Sequence, residues 1–218
     1  MNGLVRYIVS TFVQSQRYLP PVLTLLALLA IFTSSDSGPL TEVYAVSGGV
    51  LFAMTTWFTV ALANTLGPVS RQIAMTAAAR NRDVLTATVV TALLGDVLLI
   101  AIGLGYPIMS GNHVITGAAI LVGAEALTAC ALTGNAIGIL CARPLIGRQG
   151  YSVVAALGAM VLVFLLKHVP PVDPALIMLN STRPIKSLIG PTAALAASAL
   201  ALLTAATAVT HRIALHRD

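Results

Sequence analysis

Charge is what this chain has least of. Asp, Glu, Lys and Arg make up 9% of its 218 residues, where a soluble domain carries about 25%. Hydrophobic residues reach 57%. So little polar surface cannot keep a fold in water, which excludes a soluble protein and leaves a membrane-embedded one. Cysteine is scarce too. Cys130 and Cys141 lie within or at the edge of one apolar run, and their spacing suits neither a zinc site nor a redox pair. Both read as small buried residues.

Enzyme signatures are missing as well. The chain has no H-E-x-x-H and no G-x-S-x-G, so the zinc-protease and hydrolase-elbow patterns are absent. His113, His168, His211 and His216 fall at the ends of apolar runs or in the tail. No histidine remains at membrane depth for a Ser/His dyad. G-x-x-x-x-G-K-[ST] is also absent, so the chain does not bind ATP through that loop. We read a non-catalytic protein with no metal site and no cofactor of its own.

The apolar runs that are present are long, continuous and rich in Leu and Ala. That pattern calls for membrane helices, not the alternation of a barrel strand. The fold class expected is an all-α integral membrane protein with six spans, at residues 20–33, 43–64, 85–106, 114–141, 151–166 and 187–210. It is one permease-like domain over 1–218: an interfacial helix (1–18), a six-helix bundle (19–210) and a tail (211–218). Pro20 and Pro21 suit a helix start, where the missing N–H is harmless.

The net charge of +5 would suggest nucleic acid for a soluble chain. Here the charges sit at span ends, so topology explains them and no nucleic-acid partner is expected. With the N-terminus inside, Arg6, Arg17, Arg71, Arg80, Arg82, Arg143, Arg148, Arg212 and Arg217 are cytoplasmic. Only Lys167, Arg183 and Lys186 are outside. The positive-inside rule selects this orientation, with both termini cytoplasmic.

Two segments outside the spans stand out. In "MNGLVRYIVSTFVQSQRY" the residues Leu4, Ile8, Phe12 and Val13 alternate with Arg6, Gln14, Gln16 and Arg17. That spacing predicts an amphipathic helix along the inner interface, or else a frayed tail. It does not read as a signal peptide, because Gln14, Gln16 and Arg17 break the apolar run. "KHVPPVDPALIMLNSTRPIK" has four prolines and an apolar patch at 175–179. It predicts one or two short helices dipping into the outer leaflet.

Inside the spans, Asp96 and Glu125 are the polar residues that default to a functional hypothesis. If a short turn near Ser110 joins their helices, both lie roughly 20 Å from it and can face each other. Two adjacent carboxylates in low dielectric cannot both stay ionised. They read as a proton or cation site, as a polar spot on a substrate path, or as neutral acids bonded across helices. "GNAIG" at 134–138 and the small residues of the sixth span allow close helix approach, within the chain or between subunits.

The segment "LGPVSRQIAMTAAARNRDVL" breaks the grease between spans two and three. Ser70 can cap a helix of "RQIAMTAAAR", whose Ala, Met, Gln and Arg are strong helix formers. Asn81 makes the break, and Asp83 opens the next helix, where its charge suits the dipole. Ile73 and Met75 supply apolar contact; Arg71, Arg80 and Arg82 supply charge. It is a docking helix across the cytoplasmic mouth, or an anchor on anionic lipid.

With these features the whole chain resembles the membrane subunit of type-2 ABC exporters, and is most similar to compact actinobacterial permeases of lantibiotic and small-peptide export. The shared layout is an interfacial helix before span one, six spans with both ends inside, a coupling-helix loop at 70–83 and a Pro-rich outer segment at 169–185. The resemblance implies a multi-pass protein of the bacterial cytoplasmic membrane. It implies separate ATPase subunits, holding ATP and Mg, docked on Ser70–Arg80 with help from Arg143 and Arg148 in "ARPLIGRQG". It further implies a dimer with a second permease, and a path near "TTWFTVALAN" and residues 156–164. Trp57, Phe58 and Asn64 then become candidate path residues, with lipid or packing contact as the other reading of the two rings. The cargo expected is hydrophobic or amphipathic: a peptide, a drug or a lipid-like molecule. The alternative is a proton-coupled secondary transporter using Asp96 and Glu125, a class in which internal repeats are common; none is evident here.

Overall fold

In a computed structural model of the full chain, the structure describes residues 2–33, 38–65, 81–110, 115–142, 149–166, 171–181 and 183–215. Among them every regular element is helical. The helices are α1 (Asn2–Gln14), α2 (Leu19–Thr33), α3 (Leu40–Ala63), α4 (Asn81–Ser110), α5 (Gly117–Cys141), α6 (Gln149–Leu165), α7 (Val172–Leu179) and α8 (Ile189–Leu215), with a 3₁₀ turn at Ile185–Ser187 before α8.

Each of the six expected spans coincides with an apolar helix. Four of these, α3, α4, α5 and α8, are long and apolar enough to cross a bilayer by themselves. Two are shorter: α2 has 15 residues and α6 has 17, or about 22 and 25 Å against a hydrocarbon core of ~30 Å. The ends differ from expectation. α4 runs to Ser110 through Pro107, although a proline there cannot donate the backbone bond to the carbonyl four residues earlier. α5 starts at Gly117, not 114. α8 continues to Leu215, so most of the expected tail is helix.

α3 and α5 form the axis of the bundle. Two-thirds of the apolar stretch of α3 is buried (67%), against 22% for α8. Glycines explain how closely the axis packs. A Cβ on Gly134 would lie 2.7 Å from the Phe52 carbonyl oxygen, and one on Gly138 2.9 Å from Thr59 Cγ2. Only bare backbone lets α5 rest on α3 at that distance. "GNAIG" therefore serves packing within the chain. On its other side α5 packs Ala129, Leu132, Ala136 and Ile139 against Ala199, Leu203 and Ala206 of α8. The alanines recur every seven residues on both helices, which keeps one narrow seam in register.

α1 and α2 pass through Gln16, whose φ of 54° is left-handed, and their axes turn by 66°. Ile8 and Phe12 of α1 are buried in the main core, with Leu4 packed beside them, while Val13 is exposed. The Phe12 ring meets Phe58 of α3 edge-on at 5.0 Å. The amphipathic reading of the N-terminus thus gains a concrete partner surface on the bundle.

One face of the bundle gathers the features that the charge pattern assigns to one side. Arg17, Pro20 and the Asn64 end of α3 line one hollow. The start of α4 and the end of α8, from Leu85 to His211, line another. The described chain stops at 65 and 142 and resumes at 81 and 149 on this same face. At the opposite end α7 lays Val172, Ala175 and Leu179 into the core, with Leu176 over Gly48 of α3.

Candidate functional site

Asp96 lies midway along α4. Its neighbour Gly95 has no side chain, and the Phe58 ring occupies that space; a Cβ there would meet Phe58 Cζ at 2.5 Å. α3 and α4 therefore approach closely, and Asp96 is buried (3% exposed). Asn135 of α5 donates its amide N–H to Asp96 Oδ2, and Thr59 of α3 donates its hydroxyl to Asn135 Oδ1. A chain of polar groups, Thr59–Asn135–Asp96, ties the three most central helices together.

Thr59 departs from its neighbours here. Thr55 and Thr56 return their hydroxyls to carbonyls of their own helix, at Leu51 and Phe52, at 2.9 and 2.8 Å, the usual local solution in a helix. Thr59 reaches across instead, because Gly134 and Gly138 bring Asn135 within range. Asp96 Oδ1 has no partner among the described residues, an uncommon state for a buried polar atom.

Glu125 does not share this site. Its Oε2 lies 2.5 Å from the hydroxyl of Thr192 on α8. The facing arrangement expected for Asp96 and Glu125 is not formed. Asp96 pairs with Asn135, which is ten residues beyond Glu125 on α5, so the two acids differ in depth by about 15 Å. The expectation counted a tight turn near Ser110, but α5 begins only at Gly117, which moves Glu125 close to the helix start.

A second polar cluster lies at the roots of two chain segments. Asn64, which ends α3, donates its amide to Ser152 Oγ of α6 at 3.3 Å, and Ser152 donates to the Cys141 carbonyl oxygen of α5 at 2.6 Å. Arg17 donates to the Asn64 carbonyl oxygen at 3.3 Å, a cation capping a helix C-terminus as the dipole favours. Arg17, Pro20, Trp57, Val60, Ala61, Asn64 and Val153 surround a hollow of about 180 Å³.

The expected site residues therefore divide. Asp96, Glu125 and Asn64 each hold a polar contact between helices. Trp57 is 40% exposed beside the hollow, whereas Phe58 is buried under Phe12 and serves packing. Arg82 and Asp83 fall in the first turn of α4, which contains Asn81, the expected break. Ser70, Arg71, Ile73, Met75, Arg80, Arg143 and Arg148 lie outside the described residues.

Two residues were not singled out from sequence. Asn135 carried a signal: an amide between two glycines in a mostly apolar span. Ser152 carried none, since one serine near a span end is ordinary. No protein-family model, no curated protein and no solved structure matches this chain.

Proposed function

We propose that this chain is the membrane subunit of an ATP-driven type-2 ABC exporter that moves a hydrophobic or amphipathic molecule out of the cell. ATP and Mg belong to a separate ATPase subunit docked on 70–83 and 143–148, and a second permease copy completes the transporter. The observation that carries this reading is the Asn64–Ser152–Cys141 chain. It joins the end of α3, the end of α5 and the start of α6, the roots of both proposed docking segments. A push on either segment therefore bears on the same three helices.

Further support comes from α1. It is amphipathic, turned 66° from α2, and held on α3 by Phe12 against Phe58, while Arg17 just after it binds the end of α3. A helix along the cytoplasmic interface in that position braces the docking face. Six crossings with both termini cytoplasmic follow if α2 and α6 span with local thinning of the bilayer. α6 presents Val154, Leu157, Val161 and Leu165 outward, an apolar face for lipid or for the second copy. Trp57 and Val153 line the hollow between α2, α3 and α6, which supports a path along spans two and five.

In the alternative, proton-coupled reading, Asp96 and Glu125 act as two separate sites, each held by a different helix. The decisive test is co-expression with an ATPase encoded beside this chain. Co-purification, and ATP hydrolysis that falls several-fold with Arg71→Glu or Met75→Asp, is the expected result. Transport that follows a proton gradient without nucleotide refutes the exporter.

A further inference from the structure

We propose that Glu125 is the anchor of a binding groove for a lipophilic organic cation. The groove runs along α5 beside Ala196 of α8, is open on one side, and holds about 510 Å³. Its walls are Gly117, Ile120, Leu121 and Ala124 on α5 and Ala196 on α8. Two polar side chains line it, Thr128 and Glu125. Thr128 already gives its hydroxyl to the Ala124 carbonyl oxygen at 2.6 Å. The carboxyl group of Glu125 is thus the strongest polar feature of the groove.

Its surroundings suit a carboxyl that gains and loses a countercharge. The Thr192 hydroxyl lies 2.5 Å from Glu125 Oε2 and 2.8 Å from the Leu188 carbonyl oxygen. Its single hydrogen goes to one of them at a time. Directed at Glu125, it bonds one carboxyl oxygen; turned to Leu188, it leaves the carboxyl without that donor. Oε1 is not among the buried atoms lacking a partner, and no ion pair to Glu125 occurs among the described residues. The carboxyl lies eight residues into α5, about 12 Å from its start, where an ion without countercharge is costly. A cation with an apolar body supplies the countercharge and fills the apolar walls.

As a second cargo contact, separate from the hollow at Trp57, this rests on the exporter reading, but binding needs no ATPase, so the two are tested apart. The full chain in nanodiscs is assayed for saturable binding of tetraphenylphosphonium and of tetraphenylborate, which have nearly the same shape and opposite charge. The expected result is saturable binding of the cation, with at least about tenfold preference over the anion. Glu125→Gln, which keeps the size of the side chain, abolishes that preference. Leu121→Trp, which fills the groove from an exposed position, weakens the cation without touching the carboxyl. Equal saturable binding of both ions by the unaltered chain overturns the proposal whatever the variants do. So does unchanged cation binding by a folded Glu125→Gln protein. Saturable cation binding without stimulation of the partner ATPase supports the site and overturns only its part in cargo transport.

Discussion

Replacing Asn135 with leucine tests the central chain of polar groups most directly. Leucine keeps roughly the shape of asparagine but removes both hydrogen bonds. Thr59 can turn back to a carbonyl of its own helix, as Thr55 and Thr56 already do, so its loss is small. Asp96 has no such recourse. Oδ1 is already unpartnered, and loss of the Asn135 amide leaves both carboxyl oxygens bare in the bundle centre. Leaving a buried polar group unpaired costs about 1–3 kcal/mol, although interhelical bonds in membranes average nearer ~0.6 kcal/mol. The aspartate lies deep and without a second donor, so we place Asn135→Leu at about 2 kcal/mol.

The sign of the double variant separates this account from a simple packing defect. Asp96→Leu added to Asn135→Leu removes the orphaned carboxyl, and replacing both partners by apolar groups is close to neutral. The double variant should therefore recover most of the loss. Reversible unfolding by SDS titration in mixed micelles measures all four proteins of the cycle. A double variant no more stable than Asn135→Leu alone refutes the reasoning, as does a loss below about 0.5 kcal/mol for the single change. Transport assays on the same proteins add a second readout. A double variant that folds but does not transport, where Asn135→Leu alone still transports, makes Asp96 functional as well as structural.

Other outcomes follow from the packing. Gly134→Ala drives a methyl group toward the Phe52 carbonyl oxygen and should cost about 1–3 kcal/mol of bundle stability in the same titration. Gly158→Ala meets nothing within 4 Å and should be neutral or stabilising by up to ~1 kcal/mol through helix propensity. Equal effects at the two glycines would contradict the close α3–α5 approach. Phe12→Ala should cost about 3 kcal/mol and free α1: hydrogen exchange should speed over residues 2–14 and stay slow in α5. Ser152→Ala, which cuts the link from Asn64 to Cys141, should lose ~1 kcal/mol and weaken coupling of ATP hydrolysis to transport in a reconstituted pair.

Composition and periodicity by themselves determined that the chain is a bundle of apolar helices, and where most of them run. The reason is local: a stretch of about 20 apolar residues has few alternatives to a helix in hydrocarbon. The amphipathic character of α1 was legible for the same reason, because Leu4, Ile8 and Phe12 recur on one face whatever they pack against. The charge asymmetry was legible too, since it depends on counts along the chain.

What lies between helices was decided only by the tertiary structure. Depth counting put Asp96 opposite Glu125, but the aspartate pairs with Asn135, ten residues or about 15 Å further along α5. Phe58 and Trp57 are adjacent in sequence, yet Phe58 is buried under Phe12 and Trp57 faces a hollow. Asn135 gains its role because Gly134 and Gly138 bring α5 onto α3, and Ser152 gains its role because three helix ends converge there. Contacts of this kind depend on rotation and register about each helix axis, which an apolar run does not specify. The polar groups inside the bundle find their partners only after the helices have packed.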